Sequence, residues 1–185
     1  MIQLDERVVH VIRSEKMKQG VHNYLNLLSL YQISTDVSND MNFQTKYKGF
    51  YSMGRKSKDF YEMYFTYMQL LRNCDISHIS FEEIFSYIKS KTNRNEASFS
   101  SKLMHTIDNH SPILDRYVLQ NLELYRQYLS KNTDKIALFY QMKNIINGML
   151  LNSNDVINEF DHVFPNEATQ ITKEKKLDFI LWQMR

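Results

Sequence analysis

The sequence predicts an all-α fold, one globular domain over residues 1–185 with about eight or nine helices. Three observations predict it. Glycine and proline are scarce, with Gly 4 and Pro 2 in 185 residues, where ordinary usage is about 7% and 5%. Apolar residues recur at helical spacing along most of the chain. Good helix formers fill the intervals, including 10 Met and many Leu, Ile and Lys. A β-sandwich or barrel needs many tight turns, which Gly and Pro supply. A dinucleotide or P-loop site needs clustered glycines. Gly20, Gly49, Gly54 and Gly148 form no such cluster.

The elements follow in order. Leu4, Val8, Val11 and Ile12 predict a helix from about Leu4 to Lys18, broken at Gly20. His22 to Ile33 is apolar nearly all round, which predicts a buried helix. Ser34 to Asn42 is polar and reads as a loop, and Tyr47 to Gly54 as irregular or briefly extended. Phe60, Tyr64, Tyr67 and Leu71 predict a helix from about Lys56 to Asn73. Ser80-Phe81-Glu82-Glu83 is a capping box, which starts a helix reaching about Lys91. A short helix follows over Ser98 to Ile107. Ser111-Pro112 reads as an N-cap with Pro at the first helical position, and that helix should run to about Tyr128. The longest helix is expected from Asn132 or Thr133 to about Leu151. Another starts at Ser153 or Asn154 and ends before Pro165, and the last spans Thr172 to the C-terminus.

Bulk properties bound the function. Cys74 is the single cysteine, which excludes an internal disulfide and a thiolate metal cluster. The start carries no basic region followed by an apolar run, and no stretch approaches ~18 uncharged apolar residues. A cytoplasmic protein with no membrane partner is expected. Net charge is +2, too small to argue nucleic-acid binding globally, so any basic face is local. The six histidines are scattered, with no H-E-x-x-H, so neither a metal nor another cofactor is expected.

Three constellations carry chemistry. Residues 46–58 interleave five cations with three aromatics. Lys46, Lys48, Arg55, Lys56 and Lys58 can neutralise phosphates, and Tyr51 can stack on an unpaired base. Gly49 and Gly54 permit close backbone approach. The alternative is a solvated loop whose rings dock in the core. Second, Lys102 lies in the first turns of one short helix and Asp115 in the first turn of the next. Such a Lys is a candidate amine nucleophile, and the Asp can guide a proton or stabilise positive charge. The alternative is structural: Lys102 pairs with Asp115 or Glu96, and His105 is a satisfied packing histidine. Third, the C-terminal Lys175 to Arg185 carries Asp178, Phe179 and Trp182 at helical spacing, and reads otherwise as a docking helix anchored by Trp182. Arg94, Asp161, Lys176 and Trp182 are further candidates for a cleft.

Several of these segments resemble an uncharacterised bacterial all-helical family. Its pattern appears here as Gly49-Phe50-Tyr51-Ser52-Met53-Gly54-Arg55, then Thr92-Asn93-Arg94-Asn95-Glu96-Ala97-Ser98-Phe99-Ser100-Ser101-Lys102-Leu103. Pro112-Ile113-Leu114-Asp115, Phe160-Asp161-His162-Val163-Phe164-Pro165 and Lys175 to Arg185 follow. The resemblance covers about Lys46 to Arg185, leaving residues 1–33 as N-terminal helices. Asn93 stands where the pattern has Gly. A more distant similarity is to the helix-hairpin-helix DNA glycosylases, which place a Lys at the start of a hairpin's second helix and an Asp at the start of the next. Lys102 and Asp115 follow that order. Their spacing is shorter than in that family, and Glu96 to Ser101 stands where the glycosylase hairpin is glycine-rich.

Three functions are carried forward. The first is nucleic-acid association, glycosylase-like with a Lys102/Asp115 pair. The second is a non-catalytic helical interaction or structural protein, in which the aromatic and Met-rich faces would support a homo-oligomer. The third is a small-molecule enzyme using the same Lys/Asp pair.

Overall fold

A computed structural model of the chain describes residues 2–54 and 56–184. Among these residues the protein is all-helical, with eleven α-helices, two short 3₁₀ turns and no strand. The chain divides into two compact units. One is His22–Asp108, and the other combines Met1–Val21 with Asn109–Arg185.

The unit with both chain ends begins with α1 (Glu6–Arg13). Asp5 caps it by accepting the Val8 N–H at 2.8 Å, and Val8 and Ile12, one turn apart, are buried. The predicted Leu4–Lys18 helix is interrupted at Ser14, not at Gly20. Ser14 is extended (φ −67°, ψ 149°), and its hydroxyl accepts the Met17 N–H at 3.1 Å, which starts a new helix. That helix, α2 (Glu15–Ile33), runs straight through Gly20. A helix tolerates an interior glycine at a cost of about 1 kcal/mol relative to alanine.

The region after Asn109 also differs from expectation. Pro112 is not a helical residue. Ser111, Ile113 and Leu114 are buried, so this segment is pinned as irregular chain, with the Asp115 N–H bonded to Ile113 O at 2.7 Å. Helix α7 (Arg116–Asn121) starts four residues after Pro112 with Asp115 as its N-cap. The expected helix to Tyr128 breaks at Glu123, which is left-handed (φ 59°). The Leu124 N–H bonds back to Leu119 O at 2.8 Å, and Leu124 is buried; this is a Schellman closure. Then come α8 (Tyr125–Leu129), α9 (Lys135–Leu150) and α10 (Asn154–Val163). Asp134 caps α9, one residue beyond the expected Asn132 or Thr133. Helix α9 has 16 residues against 19 for α2, so it is not the longest. The last helix, α11 (Lys173–Gln183), is capped by Thr172 as its position predicts. Helix α11 packs on α1, α7, α9 and α10, and its Leu177 and Ile180 are fully buried.

In the His22–Asp108 unit, the remainder of α2 is followed by α3 (Met41–Phe50), α4 (Lys58–Arg72), α5 (Phe81–Thr92) and α6 (Ala97–Ile107). Helix α3 occupies residues read as loop and irregular chain. Asp40 caps it by accepting the Phe43 N–H at 2.9 Å, and Phe43 and Tyr47, one turn apart, are fully buried. Ser57 caps α4. The Ser80–Glu83 capping box is present in full at the start of α5. Asn93 closes α5 in the left-handed region (φ 52°, ψ 29°). Asn adopts that conformation more readily than other residues bearing a side chain. The core is aromatic: Phe43, Tyr47, Tyr64 and Phe65 are all fully buried and contact one another through their rings. Burying each such side chain contributes about 1.5–3 kcal/mol.

Candidate functional site

Lys102 is the best-defined candidate. It lies on α6, which packs against α5 and α4. The side chain of Glu96, at the N-cap of α6, makes no capping hydrogen bond; its carboxylate instead takes the Lys56 ammonium at 2.6 Å. Lys102 is 8% exposed. Its Nζ donates to Ser98 Oγ, one turn back, at 3.2 Å, and sits 5.3 Å from the centre of the Phe99 ring. Lys56 Nζ is 4.8 Å from the centre of the same ring. Two ammonium groups therefore share one aromatic side chain, and cation–π attraction holds both. The Phe99 ring is fixed in turn by edge contacts with Phe60 at 5.2 Å and Tyr64 at 6.4 Å.

Next to Lys102 on α6 lies a partly buried polar network. Tyr64 Oη donates to the Phe99 carbonyl at 3.0 Å and lies 3.0 Å from Tyr47 Oη. Thr106 Oγ1 lies 3.2 Å from Tyr47 Oη and donates to the Lys102 carbonyl at 2.8 Å. Burial pushes the Tyr47 and Tyr64 hydroxyls well above the ordinary tyrosine value, so both stay protonated donors. His105 is 3% exposed, with Nε2 3.2 Å from Tyr24 Oη; it is the satisfied packing histidine of the structural alternative. The sequence reading missed Thr106 and Tyr64. Their signal was a hydroxyl residue one turn after Lys102 and a tyrosine on the apolar stripe of α4.

The basic aromatic stretch is only in part a loop. Lys46 and Lys48 lie on α3; Lys46 and Lys58 are exposed, and Lys48 Nζ lies 4.9 Å from the Tyr61 ring centre. Tyr51 is buried, 8% exposed, with its ring 4.7 Å from Tyr47 and 4.9 Å from Phe50. No open face of Tyr51 remains to stack on a base, so its expected role does not fit its position. Lys56 is held by Glu96 and Phe99 rather than projecting to solvent. No heavy atom lies within 4 Å of a Cβ built on Gly49 or Gly54, so packing within the fold requires neither glycine. Arg55 lies outside the described residues. Arg94 is exposed just beyond Asn93.

The remaining candidates belong to the unit with both chain ends. Asp115, expected inside a helix, is the N-cap of α7 and accepts the Tyr117 N–H at 2.9 Å. Asp161 and Lys176 come together as an ion pair at 2.6 Å. Trp182 is half-buried on α11. Lys175 and Asp178, one turn apart on α11, form a second pair at 2.6 Å, and both are buried. Burial raises the Asp178 carboxyl above the ordinary aspartate value, with Lys175 opposing and Asp115 reinforcing the rise.

Among the described residues no group of three or more His, Cys, Asp and Glu side chains could hold a metal ion, and no helix is long and apolar enough to cross a membrane. Compared with protein-family models, with curated proteins and with solved structures, the chain matches none.

Proposed function

We propose that the chain associates with nucleic acid and that the Lys102 amine is its reactive group, in chemistry of the DNA-glycosylase kind. The observation that carries this reading is the setting of Lys102: a primary amine on the second helix of the α5–α6 pair, 8% exposed and held beside an aromatic ring. The order Lys102 then Asp115 along the chain agrees with the resemblance, and Asp115 enters through that order alone. Exposed Lys46, Lys58 and Arg94 supply cations for phosphate contacts.

In this chemistry the Lys102 amine attacks the C1′ aldehyde of an abasic sugar. A C–N bond forms, water leaves, and borohydride reduces the resulting imine to a stable secondary amine. The test is borohydride trapping on abasic DNA, alongside binding to single- and double-stranded DNA and RNA at two salt concentrations. A covalent adduct mapped to Lys102 and absent in Lys102→Ala is expected, as is binding that weakens with salt. No adduct together with absent or salt-insensitive binding overturns the reading. Trapping with small aldehydes but not with DNA would instead favour a small-molecule enzyme using the same amine.

A second reading, a helical interaction protein, is favoured by exposed Ile33, Met41 and Leu70, which are 71%, 65% and 58% exposed in the His22–Asp108 unit. Light scattering tests it, and a strict monomer at all concentrations counts against self-association.

A further inference from the structure

We propose that Tyr64, Tyr47 and Thr106 are positioning residues for Lys102, acting through the α6 backbone and the Phe99 ring. The inference rests on the reading that the Lys102 amine is the reactive group.

Two of the three hydroxyls are fully buried and the third, on Thr106, is half-buried. Tyr47 and Tyr64 are 0% exposed, and phenylalanine would fill the same space without a hydroxyl to satisfy. A buried hydroxyl is costly unless it is hydrogen-bonded. The two carbonyls these hydroxyls reach, Phe99 O and Lys102 O, lie inside α6 and accept amide protons from the following turn. The helix does not need the extra bonds. Their effect is to tie one stretch of α6, from Phe99 to Thr106, to α3 and α4.

The proton count gives the network a direction. Three hydroxyl protons serve four contacts: Tyr64 to Phe99 O, Thr106 to Lys102 O, and Tyr47 to each of its two neighbours. Carbonyls cannot donate, so the two end hydroxyls must point outward to them. Tyr47, in the middle, is left with one proton for two acceptors, Tyr64 Oη and Thr106 Oγ1. Both ends are therefore fixed donors, and only Tyr47 alternates.

Both ends act on the Phe99–Lys102 stretch of α6. Tyr64 holds Phe99 twice, by its hydroxyl on the carbonyl and by an edge contact at 6.4 Å between ring centres. Phe99 carries the Lys102 ammonium on its ring. Thr106 holds the carbonyl of Lys102 itself. The side chain and the backbone of Lys102 are thus fixed by separate arms of one network.

The test is amine footprinting of the full chain with N-hydroxysuccinimide acetate. The rate at Lys102 is divided by the rate at exposed Lys46 and read by peptide mass spectrometry. Tyr64→Phe keeps the ring and removes the hydroxyl; Thr106→Val removes the other end donor, and Thr106→Ser retains it. The expected result is a Lys102 rate raised about five-fold in Tyr64→Phe and Thr106→Val, with Thr106→Ser at the wild-type rate. An unchanged Lys102 rate in both hydroxyl-lacking variants overturns the proposal, as does Thr106→Ser behaving like Thr106→Val. If Tyr64→Phe loses its helical circular dichroism, the Thr106 pair decides alone. The footprint uses no nucleic acid. A positive footprint beside a failed abasic-DNA trap and absent or salt-insensitive binding overturns the functional reading and leaves the positioning role standing.

Discussion

Lys175 Nζ lies 2.6 Å from Asp178 Oδ2 with both side chains buried on α11, while Oδ1 of the same carboxylate has no hydrogen-bond partner. The carboxylate is satisfied on one side only. Breaking a buried pair costs far more than the net worth of the pair, because the remaining charge stays desolvated. Lys175→Met is therefore expected to destabilise the protein by about 3–5 kcal/mol at neutral pH. The double variant Lys175→Met/Asp178→Leu removes both charges and should recover most of that loss. Urea unfolding of the three proteins checks it. A double variant no more stable than the single one would contradict the account.

The same carboxyl sets a pH dependence. Burial raises it above its ordinary value, so the folded state binds the proton more tightly than the unfolded chain. Its stabilising contribution is fully present below the ordinary aspartate value of about 3.9 and is lost as pH rises through the raised folded value. Asp178→Asn removes this titration. The stability of Asp178→Asn relative to wild type should therefore rise with pH from about pH 4 upward. A pH-independent difference in unfolding free energy would exclude it.

Glycine scarcity has a local cost that can be reversed. Among the described residues the left-handed positions are Ser52 (φ 46°), Asn93 and Glu123 (φ 59°), and no described glycine has a positive φ. Ser52 and Glu123 each precede a Schellman closure, Met53 N–H to Lys48 O and Leu124 N–H to Leu119 O. Ser52→Gly and Glu123→Gly are each expected to stabilise by about 0.5–1 kcal/mol. Thermal melts test this, and Glu123→Ala serves as a control without gain.

Gly20 is the converse case. It sits inside α2, and an added Cβ would meet the Phe179 ring at an ordinary 3.6 Å. Gly20→Ala should stabilise by about 0.5–1 kcal/mol through helix propensity. A loss instead would mean that the ring cannot accept the methyl group.

Nucleic-acid binding makes a charge-specific prediction. Lys46 and Lys58 are exposed, so Lys46→Ala and Lys58→Ala should each lower the slope of log affinity against log salt by about 0.7–0.9 if that lysine meets a phosphate. Anisotropy titrations over a salt series measure both slopes.

The helices whose boundaries depend on local chemistry were legible. The Ser80–Glu83 capping box and the Thr172 cap act within a few residues, so spacing alone placed them. Asp40 was an equally local cap, with Phe43 and Tyr47 one turn apart behind it, yet polar neighbours and Gly49 concealed α3. The candidate site was legible in part. Lys102 could be singled out as an amine near a helix start, but whether Lys56 or Lys102 would take Glu96 could not be read from order along the chain.

The sequence by itself determined the all-helical class, because few turn-forming residues and long apolar stripes leave no other way to satisfy the backbone. Tertiary packing decided the rest. Buried Ser111, Ile113 and Leu114 kept Pro112 from opening a helix, and Tyr51 was drawn onto Tyr47 and Phe50 instead of remaining open to a base. The buried hydroxyls of Tyr47 and Tyr64 found partners on α6, at Thr106 and the Phe99 carbonyl. Each of these outcomes depends on burial, and burial is set by neighbours distant in sequence.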